Sequence, residues 1–321
     1  MGDGRELLCP ACRSVLRRRT DELHCPSCSR VFPVVAGIPD LRLHGDEYLS
    51  LEADRSKARA LASQRGSAES VVREYWRATP EVPAALAERY IHNVLDGPRR
   101  CESHLDEIGT TSGELLDVGC GPAGLLVTAT RRGLVSVGVD IALRWLVVAR
   151  RLLDDAGCDA LLVAADGAIL PFAPRSFDVV TCIETLEHAT DQRGLLHSAL
   201  RCARLDGVAY IVTANRHSIL PDPTVGLWGL GYLPHGLATR YVAWRRHTRY
   251  QFMRPRSRSE MRAMLGPASS ARIGAAALPS LDPKSSPATR VARQIYERAR
   301  SHRLGDRALA SVGPYLQLRV P

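Results

Sequence analysis

The order of apolar and polar positions divides this chain into three stretches. From residue 110 onward, short apolar runs alternate with amphipathic segments. Glu114–Val118, Val135–Val139, Leu161–Ala165, Phe177–Cys182 and Ala209–Thr213 read as strands, with one helix starting near Ala123 and another over Leu195–Leu205. That alternation predicts an α/β fold with a doubly wound, mostly parallel sheet whose ligands sit at the carboxyl ends of the strands. Ala271–Leu278 and Tyr315–Val320 are expected to add a final antiparallel pair, for seven strands in all. Residues 44–109 are polar and rich in Arg, Glu and Ala. Helical patterning there, at Ser70–Trp76 and Ala84–Leu95, is broken by Pro80, Pro83 and Gly97-Pro98, so the stretch reads as a helical linker or lid. Tyr75, Trp76 and Tyr90 are expected to pack, and His92 and His104 to lie on the surface. Residues 1–43 form a separate small module with little core of its own.

Composition narrows the class. Nearly half of the 321 residues are apolar, enough for a sizeable core. No run reaches the ~18 apolar residues that would suggest a membrane helix. Met1–Glu6 lacks the basic and apolar regions of a signal peptide, so the chain reads as cytoplasmic. The formal net charge is +9, carried almost wholly by arginine, with lysine only at Lys57 and Lys284. A basic surface favours anionic partners, but a GC-rich genome gives the same bias, and no RNA-binding motif with interleaved aromatics accompanies it.

Four of the nine cysteines form two C-x-x-C pairs, Cys9 with Cys12 and Cys25 with Cys28. Each pair can present two thiolates from a tight turn, and four thiolates complete a tetrahedral zinc shell. A redox motif needs one pair, so the doubled spacing predicts a structural Zn²⁺ that supplies much of the module's folding free energy. The continuation VFPVVAGIPDL carries a resemblance over residues 7–43. It is similar to the small zinc-ribbon protein that partners and activates several RNA- and protein-modifying methyltransferases, a ribbon that also occurs fused ahead of bacterial methyltransferase domains.

The first strand of the large stretch leads into Gly119-Cys120-Gly121-Pro122-Ala123-Gly124, with Asp117 just before the turn. Glycines let a backbone approach a ligand closely, and a helix N-terminus offers free N–H groups. Such a turn alone is weak evidence. Asp140-Ile141 at the end of the second strand and Asp166-Gly167 at the end of the third strengthen it. Over about residues 110–215 this run resembles class I S-adenosylmethionine-dependent methyltransferases of type 11. VTCIETLEHATD and TANR are similar to segments of the ubiquinone-biosynthesis O-methyltransferases. Arg204-Leu205-Asp206-Gly207 stands where many such enzymes have a Lys-Pro-Gly-Gly turn. The resemblance implies a seven-stranded Rossmann-like methyltransferase sheet with S-adenosyl-L-methionine as cofactor. Asp117 would meet the amino end of its methionine, Asp140 its ribose hydroxyls and Asp166 its adenine amino group. Gly119, Cys120, Gly121, Gly124, Ile141 and Gly167 would complete the cofactor-binding loops.

Past the fourth strand, Glu184, Glu187 and His188 are spaced to share one helical face. In the ubiquinone-pathway enzymes the matching E-x-x-E-H residues are associated with a divalent metal, which implies Mg²⁺ at Glu184, Glu187 and His188, with His188 as base and Glu187 beside it. Many related enzymes carry a similar turn without metal, where Glu187 and His188 organise the loop. Both readings stand on the sequence. Residues 214–258 form an insertion of the kind that caps a substrate pocket. Trp228, Tyr232, Trp244, Tyr250 and Phe252, with Arg240, Arg245, Arg246 and Arg249, suit an aromatic or anionic small-molecule methyl acceptor. For any one of those aromatics, packing of the cap is the plainer role. The leading expectation is small-molecule O-methylation. An rRNA or tRNA methyltransferase, and a non-catalytic scaffold with a docking ribbon, are the alternatives.

Overall fold

The computed structural model describes residues 5–320 apart from 80–81, 83, 223–224, 248–249, 251–252, 267–269 and 284. The ribbon comes first, as β1 (Arg17–Arg19), β2 (Glu22–His24), β3 (Val31–Val35) and β4 (Ile38–Pro39) in one antiparallel meander. Helices α1 (Leu51–Ala62), α2 (Ala68–Arg77), α3 (Ala84–Leu95), α4 (Gly97–Arg100) and α5 (Glu102–Ile108) follow. Ser50 and Ser67 cap the first two through their side-chain oxygens.

The large unit runs β5 (Glu114–Val118), α6 (Gly124–Arg131), β6 (Val135–Asp140), α7 (Leu143–Asp155), β7 (Ala160–Ala164), β8 (Phe177–Ile183), α8 (Gln192–Cys202) and β9 (Ala203–Ala214). It ends with α9 (His235–Arg246), α10 (Arg258–Leu265), β10 (Arg272–Ala275), α11 (Pro287–Arg300), α12 (Arg303–Val312) and β11 (Tyr315–Val320). Seven strands pair in the order β10-β11-β9-β8-β5-β6-β7. The five from β5 to β9 are parallel to their neighbours, while β11 runs antiparallel to both β9 and β10. Strand order reverses between β5 and β8, which opens a crevice at their carboxyl ends.

Both sheet faces are covered, for different reasons. On one face α1 and α2 pack on α7, and α4 and α5 on α6. Tyr75 stacks on Trp145 with ring centroids 4.3 Å apart, and Trp76 on Tyr90 at 5.0 Å. The expected packing aromatics therefore belong to this layer. On the other face, the link from β7 to β8 holds only a short 3-10 turn at Gly167–Ile169, too little to cover the sheet. The ribbon fills that space. Leu7, Leu16, Leu23, Phe32 and Leu41 share one hydrophobic core with Val137, Val139, Val163 and Phe172. At roughly 1.5–3 kcal/mol per buried large apolar side chain, this contact joins the ribbon to the sheet's own core. Leu8 N–H donates to the Pro171 carbonyl (2.9 Å), and Arg13 donates to the Leu170 and Phe172 carbonyls (2.8 and 2.9 Å).

Three local expectations are corrected. The helix expected over Leu195–Leu205 ends at Cys202, and Arg204–Gly207 lies within the long strand β9 instead of a turn. The strand expected over Ala271–Leu278 contracts to Arg272–Ala275, and two helices stand between it and β11. His104 is buried, its Nδ1 3.1 Å from the Tyr210 hydroxyl, and burial pulls its pKa down to about 4. His92 is exposed, as expected.

Candidate active site and four-cysteine centre

The crevice is built from the turns that leave β5, β6, β7 and β8. After β5 the backbone passes through left-handed conformations at Gly119 (φ +76°), Gly121 (φ +48°) and Ala123 (φ +67°) before α6 begins. A Cβ at Gly119 would lie 2.1 Å from the Thr185 side chain, whereas one at Gly121 would meet nothing within 4 Å. The turn is thus packed on one side and open on the other, as a ligand cradle requires. Gly124 serves packing, since a Cβ there would lie 2.8 Å from the Gly97 backbone. Cys120 turns its thiol into the core beside Gly138, and its N–H donates to the Val139 carbonyl at 3.0 Å.

Two of the predicted acids meet at this turn. Asp140 accepts from Gly121 N–H (2.9 Å) and Ala142 N–H (2.7 Å), clasping the glycine turn to the loop after β6. Asp117 pairs in register with Thr181 of β8 and accepts its hydroxyl at 2.7 Å. Burial pushes Asp117 up to about 7; the Thr181 hydrogen bond opposes that rise and the neighbouring Asp140 charge adds to it. Among the described residues no cationic side chain pairs with it. A buried carboxyl without a counter-charge suits a cationic ligand group. The third acid, Asp166, accepts from Ala168 N–H (2.8 Å), ahead of Gly167, and faces His44 Nε2 at 3.1 Å. Ile141 offers its carbonyl to the Arg42 guanidinium at 2.7 Å.

The E-T-L-E-H segment departs from its expectation. Glu184 has φ +52° and stands outside any helix, and only Leu186–His188 forms a single 3-10 turn, so the three side chains share no helical face. Glu187 is buried, and both its oxygens are engaged, by the Thr213 hydroxyl (2.8 Å) and Ala214 N–H (3.2 Å). It fastens the ends of β8 and β9 together. His188 is exposed. Glu184 is solvent-accessible yet walled in by protein, which raises its pKa, as does the Glu187 charge, while the facing Tyr315 hydroxyl lowers it. Burial and the facing Glu184 and Glu187 charges push Tyr315 well up in turn. Tyr315 was not singled out from the sequence. It arrives through its register opposite Ala214 in the returning strand β11, which no local motif announces.

The cap distributes its aromatics differently from expectation. Leu227, Leu230, Ala238, Val242, Tyr250 and Met253 form a small core of their own, and Tyr250 donates to Asp222 at 2.6 Å. Trp228, Tyr232 and Trp244 point outward. Arg249 and Phe252 lie outside the described residues.

In the ribbon the two knuckles repeat one geometry. Arg13 (φ +67°) and Ser29 (φ +58°) each follow the second cysteine and return an N–H to the first cysteine's carbonyl, at 2.8 and 3.1 Å. The Sγ atoms of Cys9, Cys12, Cys25 and Cys28 all lie within 4.8 Å of one another, with Cys9–Cys28 at 3.6 Å and Cys12–Cys25 at 3.3 Å. A tetrahedral shell with 2.3 Å zinc–sulfur bonds needs sulfur separations of about 3.8 Å, so the cage fits with little adjustment. Among the described residues this is the one group of at least three potential metal ligands that converges. Glu184, Glu187 and His188 do not form a second.

The strand order, the glycine turn and the acids at successive strand ends define an S-adenosylmethionine-dependent methyltransferase domain. Residues 116–211 match the family model described as a methyltransferase domain. Similar curated proteins include the ubiquinone biosynthesis O-methyltransferase of Idiomarina loihiensis, 32% identical over 160 residues, which are 48% of this chain and 60% of that one. The enzyme of the same name from Nitrosomonas europaea is 33% identical over 119 residues, 36% of this chain and 50% of its own. The chain thus spans about half to three-fifths of the length of these relatives. Among solved structures, the YcgJ protein of Bacillus subtilis overlaps 71% of this chain and 97% of its own at 18% identity, with a TM-score of 0.45. No helix among the described residues is long and apolar enough to cross a membrane.

Proposed function

We propose that this protein methylates a hydroxyl of a small-molecule acceptor, using S-adenosyl-L-methionine held at the crevice and a structural Zn²⁺ held by Cys9, Cys12, Cys25 and Cys28. The observation that carries the reading is Asp117, a buried carboxyl without a cationic partner, beside the open side of the Gly119–Gly121 turn and next to Asp140. Asp117 would take the ammonium end of the cofactor, Asp140 and Ile141 its ribose, and Asp166 and Gly167 its adenine. When bound, the cofactor supplies an already activated methyl group, so the chain's own task is to orient the acceptor and manage its proton. His188, exposed at the turn after β8, would take that proton. Glu187 holds the turn in position. The proposal puts no Mg²⁺ at this turn, because among the described residues Glu184, Glu187 and His188 do not converge on one point.

Exposed Arg17, Arg18 and Arg19 on β1 support a second reading, in which the acceptor is RNA. Labelled-methyl transfer run side by side on a host metabolite extract and on host RNA separates the two. Label in the small-molecule fraction supports the proposal, and label confined to RNA replaces it.

A further inference from the structure

Between the ribbon and α1 runs a short segment that touches the exits of three sheet strands. It begins as an extension of the sheet, where Asp40 bridges Ala164 and Leu41 N–H donates to the Ala164 carbonyl at 2.8 Å. Arg42, wholly buried, then reaches the Ile141 carbonyl after β6 (2.7 Å) while paired with Asp40 (2.7 and 2.8 Å) and Asp54 (2.5 Å). His44 Nε2 meets Asp166 after β7 at 3.1 Å. Asp46 pairs with Arg144 at 2.7 Å. Glu47 grips Arg254 through both oxygens, at 2.6 and 3.2 Å, and the Arg254 N–H donates to the Glu187 carbonyl after β8 at 2.8 Å. The contacts thus run from the ribose loop through the adenine acid to the turn that bears His188.

We infer that residues 42–47 are a strap over the adenosine end of the cofactor site, with His44 a positioning residue that sets Asp166 for the adenine amino group. The inference rests on the cofactor reading proposed above. Asp166 has two oxygens: Ala168 N–H holds one and His44 holds the other. The carboxylate is thereby fixed at both ends, and a fixed acceptor loses less freedom when a ligand donor arrives. The Asp40, Arg42 and Asp54 pairs and the ribbon's own place in the core fix the strap's origin. The ribbon accordingly acts on the cofactor site through His44, at a distance from its cysteines.

Calorimetric titration of the full chain with S-adenosylhomocysteine and with its deaminated inosine counterpart tests this. His44→Ala is expected to weaken S-adenosylhomocysteine binding by roughly tenfold, the scale of one charge-assisted hydrogen bond. It should barely change binding of the inosine ligand, so selectivity between the two falls. His44→Gln, which keeps a donor toward Asp166, is expected to restore most of the affinity. Glu47→Gln, loosening the far end, should weaken both ligands together. The His44 side chain is 60% exposed, so its variants should melt as the parent does. Equal or tighter binding by His44→Ala, or an equal loss for both ligands, overturns the inference. Absence of any S-adenosylhomocysteine binding by the parent chain overturns the cofactor reading instead.

Discussion

Asp117 is the residue whose chemistry is most exposed to test. Burial lifts it from 3.8 to about 7 in the free protein. The folded chain therefore keeps a proton on this group between about pH 4 and pH 7 that the unfolded chain releases. Its contribution to stability is fully present below about pH 4 and is lost as pH rises through about 7. On the proposed role of Asp117, cofactor binding runs the other way, because an ammonium selects the carboxylate. Affinity for S-adenosylmethionine is expected to rise by up to about tenfold per pH unit below 7 and to level off above it. Titrations in two buffers of different ionisation enthalpy should register the released proton, and Asp117→Asn should abolish the dependence. Glu187 and His188 are expected to separate in a paired experiment. Glu187→Ala strands a buried hydroxyl and a buried N–H, at a cost of about 2–3 kcal/mol in denaturant unfolding. His188→Ala should leave the unfolding midpoint in place and lower kcat, with cofactor affinity unchanged. A His188 variant with full turnover would remove it from the chemistry.

Among the elements, the link between β4 and α1 does more than connect. Arg42, Asp40, Asp54 and Arg144 are almost wholly withdrawn from water, and Arg42 alone bonds two of those acids and a main-chain carbonyl. Burying charges is costly unless every one is partnered. Arg42→Met keeps bulk but leaves Asp40 to Arg55 and Asp54 to Arg144, and is expected to cost about 3–5 kcal/mol. Chemical denaturation measures it, and a loss below about 1 kcal/mol would mean the network is not what fixes this link. The β7–β8 connection illustrates the same dependence on distant chain. Its single 3-10 turn leaves part of a sheet face uncovered beside α8, and ribbon residues more than a hundred positions earlier complete the cover.

For the whole molecule, the shared core of ribbon and sheet makes the cysteine centre a matter of global stability. A docked accessory would melt independently. Here Phe32 and Leu41 pack in the same cluster as Val139 and Phe172. Chelating the Zn²⁺ proposed for this centre is expected to lower the midpoint of one cooperative transition, read by scanning calorimetry alongside the zinc released. A separate low-temperature ribbon transition, with the main one unmoved, would contradict this. The same coupling bears on the docking-scaffold alternative, since the ribbon's apolar face is committed to its own chain.

Features whose chemistry is local are legible in the residue order. Cysteine spacing, the glycine turn and acids at successive strand ends follow from neighbours a few positions apart, and β5 falls on Glu114–Val118 as its pattern indicates. The helical spacing of Glu184, Glu187 and His188 misled, because a left-handed residue at Glu184 breaks the periodicity that the spacing assumes. Tertiary structure alone decided the rest. Glu187 became a fastener through Thr213 and Ala214, Tyr315 reached Glu184 by antiparallel return, and His44 met Asp166 across more than a hundred residues. Each of those pairings depends on sheet order and on which face needed covering. Neither is written in the periodicity of any single segment.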